Sequence, residues 1–146
     1  MRKFILTALL LAGCGTKAPM TLPEKYEAAV VIDNNFAETF WLEWKQTGAQ
    51  LQGTYRYIPS NRKIPQFTGE AKATTGGDKL QLTLTVPADA QKSMGYPPEL
   101  KCDMKITQKS VNTFQIGGFL DFKVGDHAMH RLLTMTSTEG PPASPK

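Results

Sequence analysis

From about residue 26 onwards, apolar and polar residues alternate along the chain with a period of two. The clearest run is Leu80–Val86, in which leucine and valine alternate with glutamine and threonine. Successive side chains of a β-strand point to opposite faces, so this alternation indicates strands with one buried face. A short helix is the alternative for the first such segment. The pattern predicts about eight strands, over Tyr26–Ile32, Phe36–Trp44, Leu51–Tyr57, Phe67–Thr74, Leu80–Val86, Leu100–Thr107, Phe114–Val124 and Met129–Thr136.

Short turns join most of these segments. Gly76-Gly77-Asp78 and Val124-Gly125-Asp126 are typical of tight hairpins, because glycine reaches positive φ without a Cβ clash. Strands joined in this way pair with their sequence neighbours, and the apolar face of each must be covered. We therefore expect an all-β fold, a small antiparallel meander that is a closed or nearly closed barrel. A two-layer β-sandwich is the alternative.

The predicted inner faces are not uniformly large and apolar. Glu38 interrupts the apolar face of its strand, and the pair Gly117-Gly118 suggests a bulge or a bend in a curving sheet. Small residues on these faces leave room for aromatic side chains across the interior; they are Gly53, Gly69, Ala71, Ala73 and Gly118.

Two connections are longer than a turn. Ile58–Pro65 carries Arg62 and Lys63, and Pro87–Glu99 carries Met94 and Tyr96, which we expect to be exposed beside rigid prolines. Long loops on a rigid scaffold are often binding elements, and tyrosine supplies contact area at a low entropic cost. These four residues are therefore the candidate partner-binding residues; the alternative is that both loops only connect strands.

The length of 146 residues suits one domain, and the charged and aromatic fractions of 21% and 9% are those of a globular protein. We expect a single β domain over residues 24–138. The tail, residues 139–146, has three prolines and is expected to be disordered.

The N-terminus has a different character. A basic pair, Arg2-Lys3, precedes an apolar run over Phe4–Ala12, which is too short to cross a bilayer and is typical of a secretory signal peptide. The run ends in Leu11-Ala12-Gly13-Cys14, which resembles the lipobox of bacterial lipoproteins. The resemblance implies that residues 1–13 are cleaved off and that Cys14 is acylated. Residues 14–23 would then form the lipidated N-terminus and its tether.

Lipid on Cys14 would anchor the protein in a membrane. One acyl chain binds a membrane only marginally, whereas two or three chains bind it stably. In Gram-negative lipoproteins, an aspartate directly after the lipidated cysteine resembles the signal for retention in the inner membrane. This chain has Gly15 at that position instead. We therefore expect a periplasm-facing protein of the bacterial outer membrane, with the inner membrane or a Gram-positive cell surface as open alternatives.

Processing also changes the charge. The formal net charge of +4 includes the basic pair of the signal peptide, and the mature chain has 15 basic against 13 acidic side chains. No run of lysine and arginine is longer than two residues, so the sequence gives no indication of nucleic-acid binding.

Lipid on Cys14 leaves Cys102 as the only unmodified thiol, which excludes an intrachain disulfide. Cys102 alternates with Leu100, Met104 and Ile106, so we expect it to be buried rather than reactive.

Candidate chemistry is sparse. His127 and His130 are three residues apart at the start of the last predicted strand, so they point to opposite faces, and no metal site or cofactor is predicted. No serine lies in a nucleophile motif, and Glu38 and Glu43 point to opposite faces. The sequence therefore predicts a non-catalytic binding module for an envelope protein, a cell-wall component or an incoming enzyme. The alternative is a lipocalin-like carrier of a small apolar ligand in the barrel interior.

Overall fold

The computed structural model describes residues 20–32, 36–58, 63, 65–111 and 113–137. The predicted lipobox and the proline-rich tail lie outside these residues. The described part contains one short helix, α1 (Ala88–Met94), and eight strands: β1 (Lys25–Ile32), β2 (Phe36–Thr47), β3 (Gln50–Ile58), β4 (Phe67–Gly76), β5 (Lys79–Thr85), β6 (Glu99–Gln108), β7 (Phe114–Val124) and β8 (His127–Ser137).

The eight strands form a closed barrel. Each strand pairs antiparallel with the next, and β1 also pairs with β8, from Tyr26 opposite Ser137 to Val31 opposite Leu132. The predicted meander and its closure are confirmed; the sandwich is not formed, and Tyr26–Ile32 lies in a strand rather than in a short helix. Closure pairs the backbone N–H and C=O groups of β1 with those of β8, and these two strands would otherwise be open edges.

Apolar side chains fill the barrel interior. Four rings, from Phe40, Tyr55, Tyr57 and Phe67, pack with centroids 4.8 to 6.0 Å apart, and we call them the aromatic layer. Gly69 makes room for this layer, because a Cβ there would lie 2.7 Å from Cε1 of Tyr55. Gly69 thus leaves room for an aromatic side chain, as the sequence predicted for the small inward residues.

The bulge suggested by Gly117-Gly118 is wrong. Pairing with β6 runs through both glycines without interruption, with Lys105 opposite Gly117 and Met104 opposite Gly118. A Cβ on Gly118 would instead overlap the carbonyl oxygen of Asp103. The glycine is therefore explained by close backbone approach rather than by an extra residue in the strand.

One end of the barrel, which we call the closed end, is covered by the segment Met20–Pro23. Leu22 is buried, and its N–H donates to Oε1 of Gln46 at 2.9 Å. Nε1 of Trp44 donates to the Pro23 carbonyl at 2.9 Å, and the Trp44 ring meets Tyr26 edge to face. The last four residues of the expected tether are therefore packed on the barrel.

The opposite end, which we call the open end, carries the β1–β2, β3–β4, β5–β6 and β7–β8 connections. The β5–β6 connection, predicted as a loop, contains α1. A hydrogen bond from the Val86 N–H to the Pro98 carbonyl, 2.8 Å long, joins the two ends of this connection. Gly95 ends the helix with φ of 69°. Glycine suits this left-handed position.

Candidate ligand-binding site at the open end

Both long connections meet at the open end, because antiparallel pairing places every second connection there. Between them lies a cavity of about 430 Å³. This volume is within the usual range of small-molecule sites. The cavity is lined by Glu38, Lys63, Pro65, Ser93, Met94, Tyr96, Val124, His127, Met129 and Arg131.

An ion pair forms the innermost polar part of the cavity. Nη1 of Arg131 lies 3.3 Å from Oε2 of Glu38, and the two side chains are only 14% and 9% exposed. The residues are 93 positions apart, on β8 and β2. Both of these strands flank β1, so closure of the barrel brings the two side chains together.

Aromatic side chains hold the guanidinium of Arg131 in place. The same Nη1 donates to the Tyr96 hydroxyl at 3.1 Å, and the guanidinium carbon lies 5.5 Å from the centre of the Phe122 ring. Tyr96 in turn meets Phe122 edge to face at 5.1 Å. Arg131 is thus fixed by an ion pair, a hydrogen bond and a cation–π contact, which together set its orientation.

Nε of Arg131, a hydrogen-bond donor in this cluster, is buried and has no partner among the described residues. The hydroxyl of Tyr57, which is 1% exposed, lies beside the Glu38 carboxylate and the Tyr96 hydroxyl. Burial and these two groups raise the pKa of Tyr57, so the phenol keeps its proton. Buried donors are normally paired, because an unpaired one costs about 1–3 kcal/mol, so Nε of Arg131 points to an acceptor from outside the chain.

The sequence-predicted binding residues are partly brought together here. Lys63 lies at the cavity rim and is exposed. Met94 and Tyr96 also line the cavity, but their expected exposure is wrong: both are half-buried and pack against the core. They turn inward because α1 folds back over the open end. Arg62 lies outside the described residues.

Sequence reasoning missed Arg131 and noted Glu38 only as an exception. A usable pattern exists, since Arg131 alternates with Met129, Leu133 and Met135, of which Leu133 and Met135 are buried. Opposite charges on the inner faces of β2 and β8 would then be expected to meet if the barrel closes across β1.

The two histidines do point apart. His127 lines the cavity, whereas His130 lies on the outer wall, where it stacks on Phe119 and contacts Asp121. Among the described residues, no group of three metal-ligating side chains comes together.

Cys102 is buried, as predicted. Burial, with smaller contributions from Asp103 and Asp121, raises the pKa of its thiol to about 12. At neutral pH the thiol is therefore protonated, which makes it a poor nucleophile.

No protein-family model, curated protein or solved structure matches the chain significantly. Within the described residues, no helix has both the length and the apolar character needed to cross a bilayer.

Proposed function

We propose that the chain is a lipid-anchored protein of the bacterial envelope, and that its barrel is a non-catalytic binding module which acts through the open end. The partner would be an envelope protein, a cell-wall component or an incoming enzyme. One observation carries the proposal: both long connections and the cavity between them lie at the end of the barrel opposite Met20–Pro23.

This arrangement suits a membrane-anchored receptor. Cys14 lies six residues before Met20, so the lipid would be at most about 20 Å from the closed end. The closed end would then face the membrane, and the cavity would point away from it into the periplasm. Outer-membrane location stays a prediction from Gly15.

The cavity has the composition of a recognition site. Met94, Val124 and Met129 provide apolar walls, and Arg131 with Glu38 provides a fixed polar group. Binding sites of this kind combine apolar walls with a few oriented polar groups.

Site-specific photo-crosslinking in intact cells tests the proposal. A photoreactive residue at Ser93, an exposed position at the cavity, should capture one defined partner. The same residue at Asp78, in the exposed β4–β5 turn of the closed end, is the matched control. Equal products from both positions, or only bulk lipid and abundant porins, would contradict binding through the open end.

The anchor is tested separately. Cys14→Ser removes the proposed acylation site, so the variant should leave the membrane fraction and enter the aqueous phase of a detergent partition. A variant that still partitions with membrane would show that the lipobox interpretation is wrong.

A carrier of a small apolar ligand is the second candidate. The interior is filled by side chains such as Trp44 and Tyr57, so such a ligand would bind in the open-end cavity against Met94 and Met129. Native mass spectrometry of the purified protein tests this, because a carrier should release a co-purified small molecule.

A further inference from the structure

We propose that the open-end cavity binds a carboxylate attached to a short apolar group, and that Arg131 is the residue that receives the carboxylate. This inference deepens the proposed function and rests on it, because it gives the chemical class of the group that the binding module recognises. A free aliphatic acid and the C-terminal residue of a peptide share this chemistry.

The first argument is an imbalance between donors and acceptors. Arg131 has five N–H groups and Tyr96 adds a hydroxyl, but Glu38 is the one acidic residue that lines the cavity within the described part of the chain. Nε of Arg131 is buried and has no partner among the described residues. A ligand that supplies acceptor oxygens would correct this imbalance, whereas an amine would increase it.

The second argument is the geometry of Arg131. Its contacts with Glu38 and Tyr96 both use Nη1, so these two contacts leave the other N–H groups of the guanidinium for a second acceptor. Guanidinium groups commonly bind carboxylates through two parallel hydrogen bonds.

The third argument is size and lining. At about 30 Å³ per water-sized group, 430 Å³ holds roughly fourteen non-hydrogen atoms. Met94, Val124, Met129 and Pro65 form the apolar walls around the polar group. The cavity therefore fits a carboxylate with a short aliphatic chain or one apolar residue.

Methionine methyl groups provide a local test. Met94 and Met129 line the cavity, whereas Met104 and Met135 are buried in the barrel and serve as internal controls. The full lipidated chain, labelled with ¹³C at the methionine methyls and held in lipid nanodiscs, is titrated with hexanoate and with hexanamide. We expect saturable shifts at Met94 and Met129, with hexanoate bound at least about tenfold tighter, since a charge-assisted pair contributes about 1.5 kcal/mol or more.

Variants identify the receiving group. Arg131→Gln should reduce hexanoate binding to the level of hexanamide, and Arg131→Lys, which keeps the charge, should retain an intermediate preference. Glu38→Gln removes the competing carboxylate and should tighten hexanoate binding about threefold or more. Lys101→Gln, on the exposed outer face of β6, is the matched charge control and should bind like the parent. Unchanged Met104 and Met135 signals would show that each variant is folded.

The outcomes separate the possibilities. Equal binding of hexanoate and hexanamide, or no shift at Met94 and Met129, would overturn the carboxylate site and leave the buried Nε of Arg131 to ordered water. A preference that survives Arg131→Gln would overturn the role of Arg131. With the preference present, the affinity for N-acetylleucine compared with the affinity for hexanoate tells a peptide C-terminus from a free aliphatic acid. Capture of a partner at Ser93 without any carboxylate preference would overturn this inference alone.

Discussion

The two ends of the barrel are built from different chemistry. At the closed end, Trp44 and Gln46 bond to the main chain of Met20–Pro23 through neutral groups, and Leu22 covers the interior. At the open end, a nearly buried ion pair between Glu38 and Arg131 borders a cavity. One end thus resembles a protein core, and the other resembles a binding site.

This difference indicates which end contributes stability. Neutral hydrogen bonds combined with apolar burial stabilise a fold, whereas a buried ion pair often contributes less than apolar residues of the same volume, because both charges must be desolvated. Sites that violate the rules of core packing are expected at functional positions. Substitutions at the two ends should therefore change the free energy of unfolding by different amounts.

The largest effect is expected at Trp44, which is 1% exposed. Trp44→Ala removes the ring that packs on Tyr26 and the hydrogen bond to Pro23, and should lower the free energy of unfolding by about 3–5 kcal/mol. Urea denaturation measures this. Trp41→Ala, at a half-buried position on the outer wall, should cost only about 1 kcal/mol. Similar losses for both variants would contradict the closing role of Trp44.

At the open end, Arg131→Met should cost about 3 kcal/mol, because it leaves the Glu38 carboxylate buried and unpaired. The double variant Glu38→Leu/Arg131→Met should return to within about 1 kcal/mol of the parent, since both charges are then gone. Denaturation of the single and double variants completes the thermodynamic cycle. A double variant as unstable as Arg131→Met would mean that the pair holds the fold together.

Gln46 gives a smaller effect at the closed end. Its amide accepts from the Leu22 N–H and donates to the Met20 carbonyl, so Gln46→Ala should cost about 1–2 kcal/mol. Hydrogen exchange at the Leu22 amide should speed up in the same variant. Gln52→Ala, at an exposed position on β3, is the matched control and should change neither quantity.

The fold was predictable because the inner faces follow a period of two over nearly every strand. In β5, for example, Leu80, Leu82 and Leu84 are all buried, and the short turns leave a meander as the simplest topology. The packing of Leu22 was not predictable, since a single leucine between prolines and polar residues has no periodicity. Helix α1 was missed because seven residues flanked by prolines give too short a pattern.

The candidate site was less predictable than the fold. Sequence reasoning identified both long connections, and Lys63, Met94 and Tyr96 do line the cavity. The ion pair of Glu38 and Arg131 depends on closure of the barrel, which joins residues 93 positions apart, and local pattern does not report such contacts. Met94 and Tyr96 were expected to be exposed because the fold-back of α1 is a tertiary effect.

The smallest effect is expected at Tyr96, and it distinguishes the two ends most finely. Tyr96→Phe keeps the packing on Phe122 but removes the oxygen that accepts from Arg131, and should cost about 0.5–1 kcal/mol in urea denaturation. Tyr55→Phe is the matched comparison, because the Tyr55 hydroxyl donates to the Thr85 carbonyl at 2.8 Å inside the aromatic layer.

The two substitutions should differ in their cost to the free energy of unfolding. Water from the cavity can replace the Tyr96 oxygen, whereas the Thr85 carbonyl lies away from the cavity and would lose its hydrogen bond in the Tyr55 variant. Tyr55→Phe should therefore cost more, about 1–1.5 kcal/mol. If Tyr96→Phe were the more costly change, the hydrogen bond to Arg131 would be part of the stabilising framework. The open end would then resemble the closed end, and the polar cluster would no longer indicate a binding site.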